Sequence, residues 1–332
     1  MNDLFILGAG ASVPYDFPSG EKLFEEIKKI NYHSLQDENL RNGCFKYFGD
    51  QNTYNMLAIM QEMYNFSVDI KNSSMLSIDD FLRNRKSNKI QNKFGKMIIV
   101  DKILNAERKY KTDIELKSKK DWFTYLLSYI DRDENLFNDF FNNSKFITFN
   151  YDRLLEYKIF EYLHYDKKYK EDEISKKIKE INIIHVNGSI GNLKDIEFGK
   201  SKEVRKNQMG RNYDVHPNYE FIIETMKTIW EHDDKEKEQK QKEIMEYFKT
   251  SERIFFIGFG WLEDNIKILG IRDSNILEGK EIYVSAYGLS EKREKEISTL
   301  LNYKMNTGNV KGLKAKISRD YDAKKLIMDF FN

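Results

Sequence analysis

"KFITFNYDRLLEYKIFEYL", Lys145 to Leu163, changes its hydrophobic period partway along. The first part, Lys145–Asp152, is a short aliphatic and aromatic run closed by polar residues, the pattern of a strand buried on both faces. The second part, "RLLEYKIFEYL", spaces its apolar residues three and four apart, as one face of a helix does. Strand, polar turn, helix is the repeating unit of an α/β sheet. Similar strand runs occur at "LFILGAG" (Leu4–Gly10), "INIIHVNG" (Ile181–Gly188), "RIFFIGFG" (Arg253–Gly260) and "EIYVSAYG" (Glu281–Gly288). Most are followed by a helical pattern: "EKLFEEIKKI", "EDNIKILGI" and "SEKREKEISTLL". Five such strands predict an α/β fold with a Rossmann-like parallel sheet and helices on both faces.

The segment between the first and second strands lacks strand patterning. "YNMLAIMQEMYNF", "SIDDFLRNR" and "DWFTYLLSYI" read as amphipathic helices. Residues 22–143 are therefore expected to form a large helical insertion. The Rossmann-like core is expected over 1–21 and 144–332, the whole 1–332 making one domain. A second helical stretch is expected at about 214–250, where the charged run Lys235–Glu243 reads as a solvated helix face.

Composition narrows the function. Of 332 residues, 55 are Lys or Arg and 54 are Asp or Glu. So even a balance gives no global electrostatic case for nucleic acid or an anionic membrane. The local basic run "GKSKEVRKNQMGRN" (Gly199–Asn212), with Lys202, Arg205 and Lys206, reads as a surface loop. A single cysteine, Cys44, permits no internal disulfide and no multi-cysteine zinc site. The N-terminus has no basic stretch before its apolar run, and no apolar run reaches the length of a membrane span. A cytoplasmic location without membrane attachment is expected.

Chemistry concentrates at the carboxyl ends of the strands, the edge where open α/β sheets bind ligands. "GAGAS" follows the first strand, and glycines there let backbone approach a diphosphate at a helix N-terminus. Val13 stands where the dinucleotide fingerprint wants a small residue, and Glu25 and Glu26 fall in a helix rather than closing the next strand. Hydride transfer is therefore disfavoured. In "TFNYD", Asn150 and Asp152 share a strand parity and can enter one cleft. A helix cap explains Asp152 but not Asn150. In "HVNG", His185 and Asn187 share a parity in the same way. "GFGWLEDN" brings Gly258, Gly260, Asp264 and Asn265, and "VSAYG" brings Ser285.

The ordered set "GAGAS", "TFNYD", "HVNG" and "GFG" resembles the sirtuin fold, most of all the sirtuin-like NAD-hydrolase domains of bacterial anti-phage defence proteins. There the second motif is similar to "TxNYDxLLE", which "TFNYDRLLE" matches. The resemblance runs from end to end and includes the helical insertion. It implies cleavage of the nicotinamide–ribose bond, with NAD as substrate and no zinc or other metal. Gly8, Ala9, Gly10 and Ser12 would cradle the diphosphate and ribose. Asn150 would orient the nicotinamide ribose or a water, and Asp152 would hold the carboxamide. Gly258 and Gly260 would line the far side, with Asp264 or Asn265 at the adenosine ribose, and Ser285 is a further cofactor-binding candidate. Three positions depart from the family. Gly20 stands in place of an aromatic that covers the ribose, Asp16 in place of a glycine, and Asn187 in place of the catalytic histidine.

The resemblance therefore implies an NAD glycohydrolase that acts in anti-phage defence by NAD depletion (abortive infection). The expected assembly is a homo-oligomer, silent until triggered, working with a HerA-type ATPase or another sensor partner. The alternative is a catalytically weakened NAD or ADP-ribose sensor. A protein deacylase fits least, since the zinc module is missing. Asn187 cannot accept a proton near neutral pH, so the catalytic histidine is either relocated to His185 or lost.

Overall fold

The computed structural model describes residues 2–30, 47–48, 56–191, 193, 198–199, 204–206, 212–214, 219–227, 231, 233–272, 274–307 and 311–331. Six parallel strands form the central sheet. They are β1 (Asp3–Leu7), β2 (Lys145–Thr148), β3 (Asn182–His185), β6 (Arg253–Ile257), β7 (Glu281–Ser285) and β8 (Lys316–Ser318), in the order β3-β2-β1-β6-β7-β8. Between β3 and β6, β4 (Val204–Lys206) and β5 (Asn212–Asp214) pair antiparallel as a separate ribbon. The chain builds outward from β1 in one direction, then returns to its other side at β6. The strand order is that of the dinucleotide-binding α/β fold. The five strands expected from sequence are present, and the short β8 completes the sheet.

Among the described residues, two short 3-10 turns (Ala9–Ala11 and Val13–Tyr15) and seven α-helices lie between β1 and β2. The α-helices are α1 (Gly20–Lys28), α2 (Met56–Lys71), α3 (Ile78–Arg83), α4 (Lys89–Thr112), α5 (Ile114–Ser118), α6 (Trp122–Ile130) and α7 (Glu134–Asn143). Capping side chains start most of them: Ser19, Ser77, Asn88, Asp113, Asp121 and Asp133 each accept a first-turn amide. After β2 come α8 (Leu154–Glu161), continued by a π turn at Tyr162–Asp166, and α9 (Glu171–Glu180). The stretch expected to be helical from 214 to 250 is divided into α10 (Tyr219–Thr225) and α11 (Asp234–Thr250). Asp233 and Glu236 form a capping box that starts α11 afresh. α12 (Glu263–Ile268), α13 (Glu291–Met305) and α14 (Ala323–Phe330) complete the chain.

Alternation along the strands divides the core in two. Phe5, Leu7, Phe146, Phe255 and Ile257 face the insertion, α8 and α14. Leu4, Ile6, Ile147, Ile254 and Phe256 face α11, α12 and α13. On the first face the sheet register lines up an aromatic row. Phe146, Phe5, Phe255 and Tyr283 stack across four neighbouring strands, with successive centroids 5.1, 5.2 and 4.8 Å apart. At the opposite, amino edge, fully buried Asp3 receives two hydrogen bonds from Arg253, at 2.7 and 2.8 Å, and pins β1 against β6. Among the described residues, no helix is long and apolar enough to cross a membrane.

Candidate functional site

The sheet register assembles the site. Leu7 pairs with Thr148, and Thr148 with His185. The segments just beyond them therefore emerge side by side. Ser12 Oγ donates to Asp152 Oδ2 at 3.0 Å. Asn150 Nδ2 donates to the Gly8 carbonyl at 3.1 Å and to Ser12 Oγ at 3.2 Å. The Asn150 amide is fixed in turn on Thr148 Oγ1, at 3.1 Å. Asn150 thus has a structural task, tying the β1 turn to the β2 turn, that the sequence reading did not foresee. Asp152 Oδ1 also accepts the Leu154 amide at 3.1 Å, so this one carboxylate both starts α8 and holds Ser12.

These residues line a cavity of about 20 Å³ together with Glu156, Lys158, Tyr15 and Trp122. That volume holds about one water. The side made by Tyr15 and Trp122 is tightly bonded. Tyr15 Oη donates to Asp121 Oδ1 at 2.6 Å, and Trp122 Nε1 donates to the Ala11 carbonyl at 2.8 Å. Lys158 Nζ donates to Tyr110 Oη at 3.2 Å and lies 3.8 Å from Asp121 Oδ2. Below the turn, fully buried Arg153 and Glu107 form an ion pair that clamps α4 to the start of α8. Burial pushes the Asp152 carboxyl up to about 6, although the Leu154 amide and Ser12 hydroxyl favour its charged form.

A second polar pair stands beside the first. His185 Nε2 lies 2.8 Å from Glu156 Oε1, and both side chains are largely buried. Burial alone would lower the His185 pKa, but the Glu156 charge and hydrogen bond outweigh it, and the net shift is upward. For Glu156, burial acts upward, yet the His185 charge and hydrogen bond carry the net shift downward. Asn187 Nδ2 donates to the Phe149 carbonyl at 3.1 Å. The strand end is then held from outside. The Lys227 amide donates to the Asn187 carbonyl at 3.1 Å, and Gly188 bridges to Met226. Lys240 Nζ donates to the carbonyls of His185 and Val186, at 2.9 and 2.8 Å. Lys240 belongs to the run expected to be solvated, but its ammonium caps the end of β3. Five buried atoms around the cavity and this pair have no hydrogen-bond partner: Asp121 Oδ2, Asn150 Oδ1, Glu156 Oε2, His185 Nδ1 and Asn187 Oδ1.

The remaining candidates lie elsewhere on the edge. The amides of Gly8 and Gly10 donate to the carbonyls of Ile257 and Gly258, at 3.1 and 3.0 Å. Those of Ala11 and Ser12 close on Gly8 and Ala9. The close backbone approach expected for a diphosphate is thus made, in this form, between the β1 and β6 turns. Ser285 Oγ accepts the Gly258 amide at 2.8 Å and braces the same turn. Asn265 Nδ2 closes its own turn on the Gly260 carbonyl at 2.8 Å. Asp264 pairs with Arg83 of the insertion at 2.8 Å. Of the residues singled out from sequence, Ser12, Asn150 and Asp152 line the cavity, whereas Gly8, Ala9, Gly10, His185, Asn187, Gly258, Gly260, Asp264, Asn265 and Ser285 do not. The basic run Gly199–Asn212 falls largely outside the described residues.

Glu156, Lys158, Tyr15 and Trp122 were not read as site residues. Glu156 had a signal: it sits four residues after Asp152 in "TFNYDRLLE", one helical turn on. Tyr15 and Trp122 come from segments with no motif of their own. No protein-family model matches the chain, and no curated protein matches it.

Proposed function

We propose that the protein is an NAD glycohydrolase that cleaves the nicotinamide–ribose bond. The carrying observation is the cluster of Ser12, Asn150 and Asp152 at the carboxyl ends of β1 and β2, beside unpartnered oxygens of Asn150, Glu156 and Asn187. Buried acceptors without partners favour a ligand rich in donors. The ribose hydroxyls and carboxamide of NAD supply such donors, and a carboxylate suits its cationic pyridinium ring. Nicotinamide leaves with the electron pair of the broken bond, so the leaving group needs no proton. Orientation and electrostatic fit then carry the reaction.

A cavity of about 20 Å³ is far below the roughly 300–1,000 Å³ of a ligand pocket. The reading therefore includes an opening step in which the Tyr15–Trp122 wall moves away from Asp152. A closed resting form suits an enzyme whose unrestrained activity would exhaust the cell's NAD. On this reading the chain acts in anti-phage defence, as a homo-oligomer or beside a sensor partner that opens it.

A second reading, an NAD or ADP-ribose sensor without turnover, is favoured by Asn187, whose amide nitrogen is committed to Phe149. Time-resolved nicotinamide release from NAD by the purified protein, with products identified, separates the two. Binding of ADP-ribose without release, at every protein concentration and with candidate partners added, would leave the sensor.

A further inference from the structure

We infer that Glu156 is the positioning residue of a relocated general base, His185; this rests on the proposed NAD cleavage. His185 comes from β3 and Glu156 from α8, and they meet at 2.8 Å through Nε2 and Oε1. A carboxylate at Nε2 holds the proton on that nitrogen and fixes the ring. The lone pair of the neutral imidazole is then left at Nδ1. His185 Nδ1 is buried without a well-formed hydrogen bond, and the Asn150 backbone carbonyl lies near enough to the ring to favour its protonated form.

The charged surroundings fit the same assignment. Glu156 and Asp152 both favour the imidazolium, as does the Asn150 carbonyl, while the Lys240 ammonium is spent on the His185 and Val186 carbonyls. In the reaction, the bond from ribose C1′ to the pyridinium nitrogen breaks and its electron pair neutralises the departing ring. Water oxygen bonds to C1′. The water proton passes to His185 Nδ1, and Glu156 stabilises the resulting imidazolium. Asn187 then orients the water rather than accepting its proton, which accounts for an amide at that position.

The test combines Glu156→Gln, His185→Gln and the double variant with two readouts. One is imidazole titration by NMR in ¹³C-histidine-labelled protein. The other is the pH profile of NAD cleavage. In wild type, kcat/KM should rise with pH along an acid limb that follows the NMR titration of His185. In Glu156→Gln both should move to lower pH together, and the plateau rate should fall about 10- to 100-fold. With His185→Gln already present, adding Glu156→Gln should cost nothing further.

An acid limb unmoved in Glu156→Gln overturns the assignment. So does an equal loss from Glu156→Gln in both backgrounds, which would mark a structural role. A wild type that cleaves no NAD, while His185 still titrates lower in Glu156→Gln, sinks the NAD reading and the base together but keeps Glu156 as the partner of the ring. A wild type that cleaves NAD with an unmoved limb sinks only the present inference.

Discussion

The Gly10 amide donates to the Gly258 carbonyl at 3.0 Å, and the two turns meet there backbone to backbone. Gly258 adopts φ +57°, and a Cβ on it would lie 2.1 Å from the Ala11 nitrogen. Both the left-handed backbone and the contact exclude a side chain. Gly258→Ala should therefore destabilise the fold by roughly 3 kcal/mol or more, read by urea denaturation. A loss below about 1 kcal/mol would mean that the β1 and β6 turns separate readily.

Asp16 is the counterpart. It occupies the left-handed region at φ 67° without being a glycine. Its carboxylate pairs with Lys109 on the surface, which holds its pKa below the usual carboxylate range. Replacing it by glycine removes backbone strain and loses an exposed ion pair, two small changes of opposite sign. Asp16→Gly should fold and unfold within about 1 kcal/mol of wild type. A loss above about 2 kcal/mol would show that the Lys109 pair matters beyond its exposure.

Which features were legible follows from their range. The parallel sheet was readable because each strand is a buried run ended by a turn, and such runs encode their own environment. "AKIS" at β8 was too short and polar to announce a strand, and it is one only because β7 offers an edge. Asn150 and Asp152 were found by strand parity, and the register then placed Ser12 beside them. Parity also put His185 and Asn187 together, but not the Glu156 partner, because that contact crosses from β3 to α8. Lys240 looked solvated for the same reason. A helix reading sees its charged neighbours but not the strand end on which it lands.

Asn150 joins two roles, and its variants should separate them. Asn150→Ala removes the hydrogen bonds to Gly8 and Ser12 from a buried position. It should cost about 1–3 kcal/mol of stability and lower NAD cleavage by roughly 100-fold. Asn150→Asp would set a carboxylate against the Gly8 carbonyl near Asp152 and should be the less stable of the two. Circular dichroism and nicotinamide release on the same preparations decide the matter. A folded Asn150→Ala protein with full NAD turnover would remove Asn150 from the site.

Asp152 gives the sharpest prediction because its role in folding and its role in the site oppose each other. Burial raises its carboxyl to about 6 in the folded protein, against roughly 3.9 in an unfolded chain. Between about pH 4 and 6 the native state therefore binds more protons than the unfolded state, so stability falls as pH rises through that window. Above it the whole cost remains, of order 1–3 kcal/mol after allowance for partial exposure. Asp152→Asn keeps an oxygen for the Leu154 amide and reverses the Ser12 bond, its Nδ2 donating to Ser12 Oγ, without the buried charge. It should match wild type near pH 4 and exceed it by that amount at pH 7.5, in denaturation at the two pH values. The same substitution should lower NAD cleavage by roughly 100-fold, since a neutral amide no longer complements the pyridinium charge. A group that destabilises the fold and is kept is expected at a functional site. Equal stability of Asp152→Asn and wild type at both pH values would show that the charge is not held at a cost. Unchanged NAD cleavage would show that it is not held for the substrate.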